Sequence, residues 1–240
     1  MKARFEELDW QRTPLGEISL RRRYDPAAAA EVYEVRLGDE YLMSSLFTVA
    51  EKALATLALD TVDRDPVRVL VGGLGLGYTA HTALADARVA DLTVVEAAEP
   101  VLGWHRRELL PETRGLAGDP RCRLVHDDFF RLVRDEPESR YDAILLDIDH
   151  TPRHVLHPSH AAFYTVQGVR QLSRHLTDGG VFALWSDDPP DAAFEDALGQ
   201  VFATTWAHVV AFANPVTGGE SSNTVYVATG STGSSPPQEA

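Results

Sequence analysis

Residues 143–152 read AILLDIDHTP. Apolar positions suited to a sheet interior give way to Asp147, Asp149 and His150, and Pro152 closes the run. Carboxylates placed where a buried strand ends are placed to bind a cation or to take a proton. An imidazole beside them could shuttle a proton near neutral pH. Further on, LWSDDPPD brings Trp185, Asp187, Asp188 and Asp191 to the end of another apolar run. If that strand lies beside the first, Asp187 and Asp188 stand with Asp147 and Asp149 over one pocket. They would form an acidic cradle for a cationic substrate, with Trp185 as an apolar wall or cation–π face. Asp191 precedes DAAFEDAL and is expected to be the N-cap of that helix.

A third feature is VGGLGLGYTAH. Glycines between a strand and a helix let a ligand lie against bare backbone, near helix N-terminal N–H groups. Gly73, Gly75 and Gly77, with Leu76 among them, follow the pattern GxGxG. The dinucleotide fingerprint needs a glycine where Tyr78 stands, so the spacing favours a nucleoside carrying a sulfonium. The next strand ends in VVEAAEP, which places Glu96 and Ala97 about 20 residues on, where a carboxylate accepts ribose hydroxyls. LVHDDFF then places Asp127 and Asp128 at a third strand end, where an acid can take the amino group of adenine or cap a helix. Ligands of open α/β sheets bind at this edge, and the ordered series is more specific than any of its members.

The elements that must position these groups follow from apolar periodicity. Val67–Val71, Leu92–Glu96, Cys122–His126, Tyr141–Asp147, Val181–Trp185, Trp206–Phe212 and Thr224–Ala228 are predicted strands. Helical segments separate the first five, and the clearest runs from Phe163 to Leu176 with Gly179–Gly180 as its stop. Alternating strands and helices imply an α/β sheet covered on both faces. NPVTGGESSN joins the last two strands, which makes the final one antiparallel to its neighbour. Ahead of residue 61, Glu17–Tyr24 and Val32–Tyr41 read as a β-hairpin with a long Ala-rich connection, and Leu46–Leu59 as a linking helix. The expected division is 1–60, 61–229 and a disordered tail, 230–240.

The chain has 240 residues, a formal net charge of −14 and a single cysteine, Cys122. The acidity argues against a nucleic-acid partner, and no apolar run is long enough for a membrane helix. The N-terminus lacks the apolar core of a secretory signal. With one cysteine there is no internal disulfide, and a cytoplasmic location is expected. HTPRHVLHPSH carries His150, His154, His157 and His160, but their spacing matches no standard zinc pattern. No metal is expected, and the segment reads as a lid over the pocket.

Over residues 46–228 the sequence resembles the spermidine synthase (aminopropyltransferase) family within the class I S-adenosylmethionine-dependent transferases. VLVGGLGLG resembles its glycine motif, VVEAAEP its ribose-binding acid, DPRCRLVHDDFFRLV its "DPR…GD…FL" stretch, and SHAAFYTVQGVRQLSRHLTDGGVFAL its "FYxxxxxxLxxGG" helix and strand. The resemblance implies a Rossmann-like class I methyltransferase fold: a seven-stranded, mostly parallel sheet with its last strand antiparallel, after a small N-terminal β-hairpin region. It implies that Glu96 holds the ribose, Asp127 the adenine, and that Asp147 takes the proton of the attacking amine. The family's DSSDP is DIDHT here, so its second Asp aligns with His150 unless the loop shifts to use Asp149. The acid that selects the decarboxylated donor is replaced by Leu76. The amine-site segment Tyr-His-Glu-Met is not found in LFTVAEKAL, where only Glu51 corresponds.

The expected activity is transfer of an aminopropyl group from an S-adenosyl donor to a small-molecule amine, in polyamine biosynthesis. S-adenosylmethionine or its decarboxylated form is the co-substrate. Two alternatives remain: a small-molecule methyltransferase, and a non-catalytic nucleoside-binding regulator on the same fold. The N-terminal hairpin resembles a region that pairs subunits in the family, which implies a homodimer.

Overall fold

A computed structural model gives the fold, and the structure describes residues 5–14 and 16–231. Strands β1 (Phe5–Thr13), β2 (Gly16–Asp25), β3 (Ala30–Leu37) and β4 (Glu40–Ser44) form an antiparallel sheet in that order. Helix α1 (Val49–Thr61) leads into the second sheet, whose first strand is β5 (Val67–Gly72). There follow α2 (Tyr78–Ala85), β6 (Val89–Glu96), α3 (Glu99–Arg106), β7 (Cys122–His126), α4 (Phe129–Arg134), β8 (Tyr141–Leu146), α5 (Val166–Ser173), β9 (Leu176–Ser186), α6 (Ala192–Gly199), β10 (Phe202–Asn214) and β11 (Gly219–Ser231).

The seven strands run β10-β11-β9-β8-β5-β6-β7. β8 pairs in parallel with β5 and β9, and β6 with β5 and β7. β11 is antiparallel to both β9 and β10. This is the predicted architecture, with β8 and β9 adjacent as the acidic cradle requires. The strands are continuous apolar runs because both faces are buried. Val69, Val71, Ala143 and Leu145 point into one core, under α1 to α3. Leu70, Ile144 and Leu146 point into the other, with Phe129, Phe163 and Phe182. Each fully buried Val, Leu, Ile or Phe among them contributes about 1.5–3 kcal/mol.

Several boundaries differ from those expected. The N-terminal region is a four-stranded sheet, not a hairpin. β1 is mostly exposed and so lacks an apolar stripe; its pairing with β2 is braced by Glu6–Arg22 and Glu7–Arg21 ion pairs. Trp104 on α3 and Arg107, which follows it, both donate to Asp9, which ties this strand to the helix layer of the larger sheet. The predicted strand Val32–Tyr41 is broken by a turn at Gly38, where φ is +57°. The Ala-rich connection is short and is capped by Asp25, which accepts from the Ala27 and Ala28 amides. Helix α5 stops at Ser173, and Leu176 already opens β9. Gly179 and Gly180 lie inside that strand, beside an irregularity in its register with β8. Of the expected tail, Gly230 and Ser231 finish β11. Residues 232–240 lie outside the described residues. Among the described residues no helix is long and apolar enough to cross a membrane.

Candidate active site

The parallel strands end along one edge, and the loops above it carry the polar residues. β5 runs into the glycine turn, where Gly73, Gly75 and Gly77 have φ of +90°, +47° and +87°. At Gly73 the requirement is also spatial: a Cβ there would lie 2.1 Å from the carbonyl oxygen of Asp147. The Asp147 amide in turn donates to the Gly72 carbonyl (2.8 Å). The glycine therefore lets β8 deliver Asp147 directly against the turn.

Two cavities open at this edge, of about 480 and 440 Å3. The first is lined by Glu51, Leu76, Asp147, Trp185, Asp187 and Phe212, among others. The second is lined by Glu96, Ala97, Asp128, Phe130, Asp147 and His160, among others. Asp147, Ile148, His150, Gly75, Leu42 and Met43 border both. Met43, from β4, sits on the turn between the chambers; a Cβ on Gly75 would lie 2.5 Å from its Sδ. Asp147 is the carboxylate common to the two.

Burial pushes the Asp147 carboxyl up to about 6, against a hydrogen bond from the Thr79 hydroxyl (2.7 Å) that favours its charge. Glu51, from the first turn of α1, is pushed to about 8 by burial and by the negative charge of Asp147. The pair thus titrates in order. At neutral pH the pair holds one proton and carries one negative charge.

Glu96 accepts from the Leu74 and Gly75 amides through one oxygen (2.9 and 3.4 Å) and from Ala98 through the other (2.8 Å). It fastens the glycine turn to the end of β6, and burial raises its titration. Ala97 and Glu96 both face the second chamber, and Leu76 faces the first. Gly73 borders the second chamber, Gly77 the first, and Gly75 both.

Other expected contacts fall elsewhere. Asp127 borders neither cavity: both of its oxygens accept from Arg131, one turn along α4, which holds its titration below the ordinary carboxylate range. Asp128 lines the second chamber and also caps α4, accepting from the Phe130 and Arg131 amides. Asp149 is turned away from the cleft and buried. It accepts from the Leu156 amide, the Tyr164 hydroxyl and His160 Nδ1, so it organises the segment from 150 to 164 and borders neither chamber. Asp188 is exposed and borders neither cavity. Asp187 stands in the first chamber, with Oδ1 accepting from Asn223 (2.7 Å). Asp191 caps α6 and pairs with Arg153. Trp185 borders the first chamber, and its buried indole N–H has no partner among the described residues. His150 borders both chambers, and His150 and His154 approach the Glu40 carboxylate from the lid.

Sequence reasoning missed the wall made by the N-terminal sheet and the last hairpin. Tyr41, Phe47, Phe212, Ser222 and Asn223 line the first chamber, and the Phe47 and Phe212 rings meet at 5.7 Å. β11 pairs with β9 over Val181–Ser186 only, so the far ends of β10 and β11 overhang the site. Glu51 carried a signal: it lies three and four residues before Leu54 and Ala55, on the buried stripe of α1.

The Spermine/spermidine synthase domain matches residues 48–201. A polyamine aminopropyltransferase of Sulfolobus acidocaldarius is 28% identical over 129 residues, which cover 52% of this chain and 40% of that protein. Polyamine aminopropyltransferase 2 of Bacillus cereus is 27% identical over 130 residues, covering 53% and 34%. The matched stretch is thus well under half the length of these relatives. The spermidine synthase of Thermotoga maritima has the same fold, with a TM-score of 0.71 at 18% identity over 93% of this chain and 72% of that one. A probable spermidine synthase from Corynebacterium glutamicum gives 0.65 at 16%, over 93% and 79%.

Proposed function

The chain belongs to the spermine/spermidine synthase family, and we propose that it transfers an aminopropyl group from decarboxylated S-adenosylmethionine to a small amine. The observation that carries this reading is Asp147: a half-buried carboxylate at the end of β8, on the wall between two chambers. The second chamber takes the nucleoside, with Glu96 at the ribose. The first takes the amine, between Asp187, Trp185 and the aromatic wall of Phe47 and Phe212.

The chemistry asks two things of the protein. Alkylamines are protonated below ~10, and only the neutral form has a lone pair to attack. Asp147 attracts the cation and accepts its proton as the new C–N bond forms. The C–S bond breaks at the same carbon, its electron pair passes to sulfur, and the sulfonium leaves as the neutral thioether of methylthioadenosine. The short contact between β5 and β8 fixes Asp147 relative to the donor cradle, so nucleophile and carbon are held in line. Glu51 and Asp147 together carry one negative charge at neutral pH, and that charge is the partner of the amine.

One observation favours a second reading. Leu76 is buried and apolar where a carboxylate would disfavour ordinary S-adenosylmethionine, so methyl transfer from that donor is the competing activity. The test supplies each donor with a panel of amines and identifies the nucleoside released. Methylthioadenosine supports aminopropyl transfer. S-adenosylhomocysteine would replace it with methylation, and release of neither product, with nucleoside still bound, would replace it with a binding protein.

A further inference from the structure

We propose that His160 reads the base of the bound nucleoside, accepting a hydrogen bond at Nε2 from the exocyclic amino group of adenine. The inference rests on the nucleoside site proposed above and adds a recognition residue to it.

Strand order sets out the second chamber. Moving along the sheet edge from β8 to β5, β6 and β7, one meets Asp147, the glycine turn, Glu96 and then Asp128 with Phe129 and Phe130. With the reacting carbon at Asp147 and the ribose at Glu96, the base falls at the β7 end. His160 is there: its ring stacks on Phe130 with centroids 4.0 Å apart and 27° between planes, and it lines the chamber.

Its orientation and tautomer are set from behind. Asp149 takes the Leu156 amide (2.7 Å) and His160 Nδ1 (2.8 Å) on one oxygen and the Tyr164 hydroxyl (2.8 Å) on the other. The Leu156 amide and the Tyr164 hydroxyl both donate to this carboxyl, so in the neutral imidazole the hydrogen sits on Nδ1, facing Asp149, and Nε2 is the acceptor. No protein group among the described residues bonds that nitrogen. Asp127, the acid expected at this place, is occupied by Arg131 and faces neither chamber. Asp128 uses Oδ1 to cap α4. His160 is therefore an oriented, unpaired acceptor at the base end, and adenine offers a donor there.

The test is calorimetric binding of methylthioadenosine and of its purine-riboside analogue, which lacks the 6-amino group, to the full chain and to His160→Ala. One hydrogen bond to a buried acceptor is worth about tenfold in affinity. The unsubstituted protein should prefer methylthioadenosine by about tenfold. His160→Ala should lose that preference while binding the purine analogue within about twofold of the original. His160→Gln, which keeps an acceptor, should restore part of the preference. Full preference in His160→Ala would overturn the inference and leave Asp128 as the reader. An equal loss of both ligands would overturn it too, making His160 a support for the lid. Binding without preference in the unsubstituted protein would refute the base contact alone. Binding of neither ligand would refute the nucleoside site as well.

Discussion

Replacing Glu51 with Gln tests the electrostatics of the site without reference to turnover. The Glu51 carboxyl titrates at about 8, against 4.5 in an unstructured chain, because it is buried and because Asp147 ionises before it. Between those pH values the folded protein holds a proton that the unfolded chain has released. Stability from this group is therefore complete below about 4.5, falls as pH rises towards 8, and is level above that. At 1.36 kcal/mol per pH unit, the loss between pH 5 and pH 9 is on the order of 4 kcal/mol. Gln resembles the protonated acid and does not titrate, so Glu51→Gln should escape the loss. Asp147 contributes its own decline at lower pH, up to about 6, equally in both proteins. Urea unfolding followed by tryptophan fluorescence at pH 5 and pH 9 measures the difference. Relative to the unsubstituted protein, the variant should gain on the order of 4 kcal/mol between the two conditions. Any constant offset from the amide cancels in that comparison. The same difference at both pH values would refute the coupled pair.

Two further substitutions separate the chambers. Glu96→Ala removes the carboxylate from the Leu74, Gly75 and Ala98 amides. Calorimetry with methylthioadenosine should show affinity lowered by about 10–100-fold, since leaving a buried hydrogen-bond partner unsatisfied costs about 1–3 kcal/mol. Phe212→Ala opens the aromatic wall of the first chamber. It should raise the KM for the amine by about tenfold, the effect of roughly 1.4 kcal/mol of apolar contact. Methylthioadenosine binding should stay within about twofold, and a matching loss of nucleoside affinity would show that the chambers are not separate.

The sheet was readable in the sequence because burial on both faces forces continuous apolar strands with helices between them, and its edge was marked by glycines and acids. Asp147, Glu96 and the glycine turn border the chambers at the strand ends those signals marked. The failures have one physical source: a carboxylate at a strand end can serve a ligand or its own chain, and sequence does not record the competing partner. Arg131, one helical turn beyond Asp127, claims that acid. Tyr164, His160 and the Leu156 amide, all later in the lid, claim Asp149. The walls of the first chamber were hidden for another reason. Met43, Phe47 and Phe212 come from segments far apart in the chain, and only the packing of the N-terminal sheet and the overhang of β10 and β11 bring them to Asp147.

The central claim is that Asp147 takes the proton of an attacking amine beside a separately held donor. The direct measurement is the rate of methylthioadenosine release from decarboxylated S-adenosylmethionine, with amine saturating, for the unsubstituted protein and Asp147→Asn, alongside methylthioadenosine affinity. A lost general base should slow transfer by about 10²–10⁴-fold while the affinity stays within about twofold. Turnover by Asp147→Asn at the original rate would contradict the account.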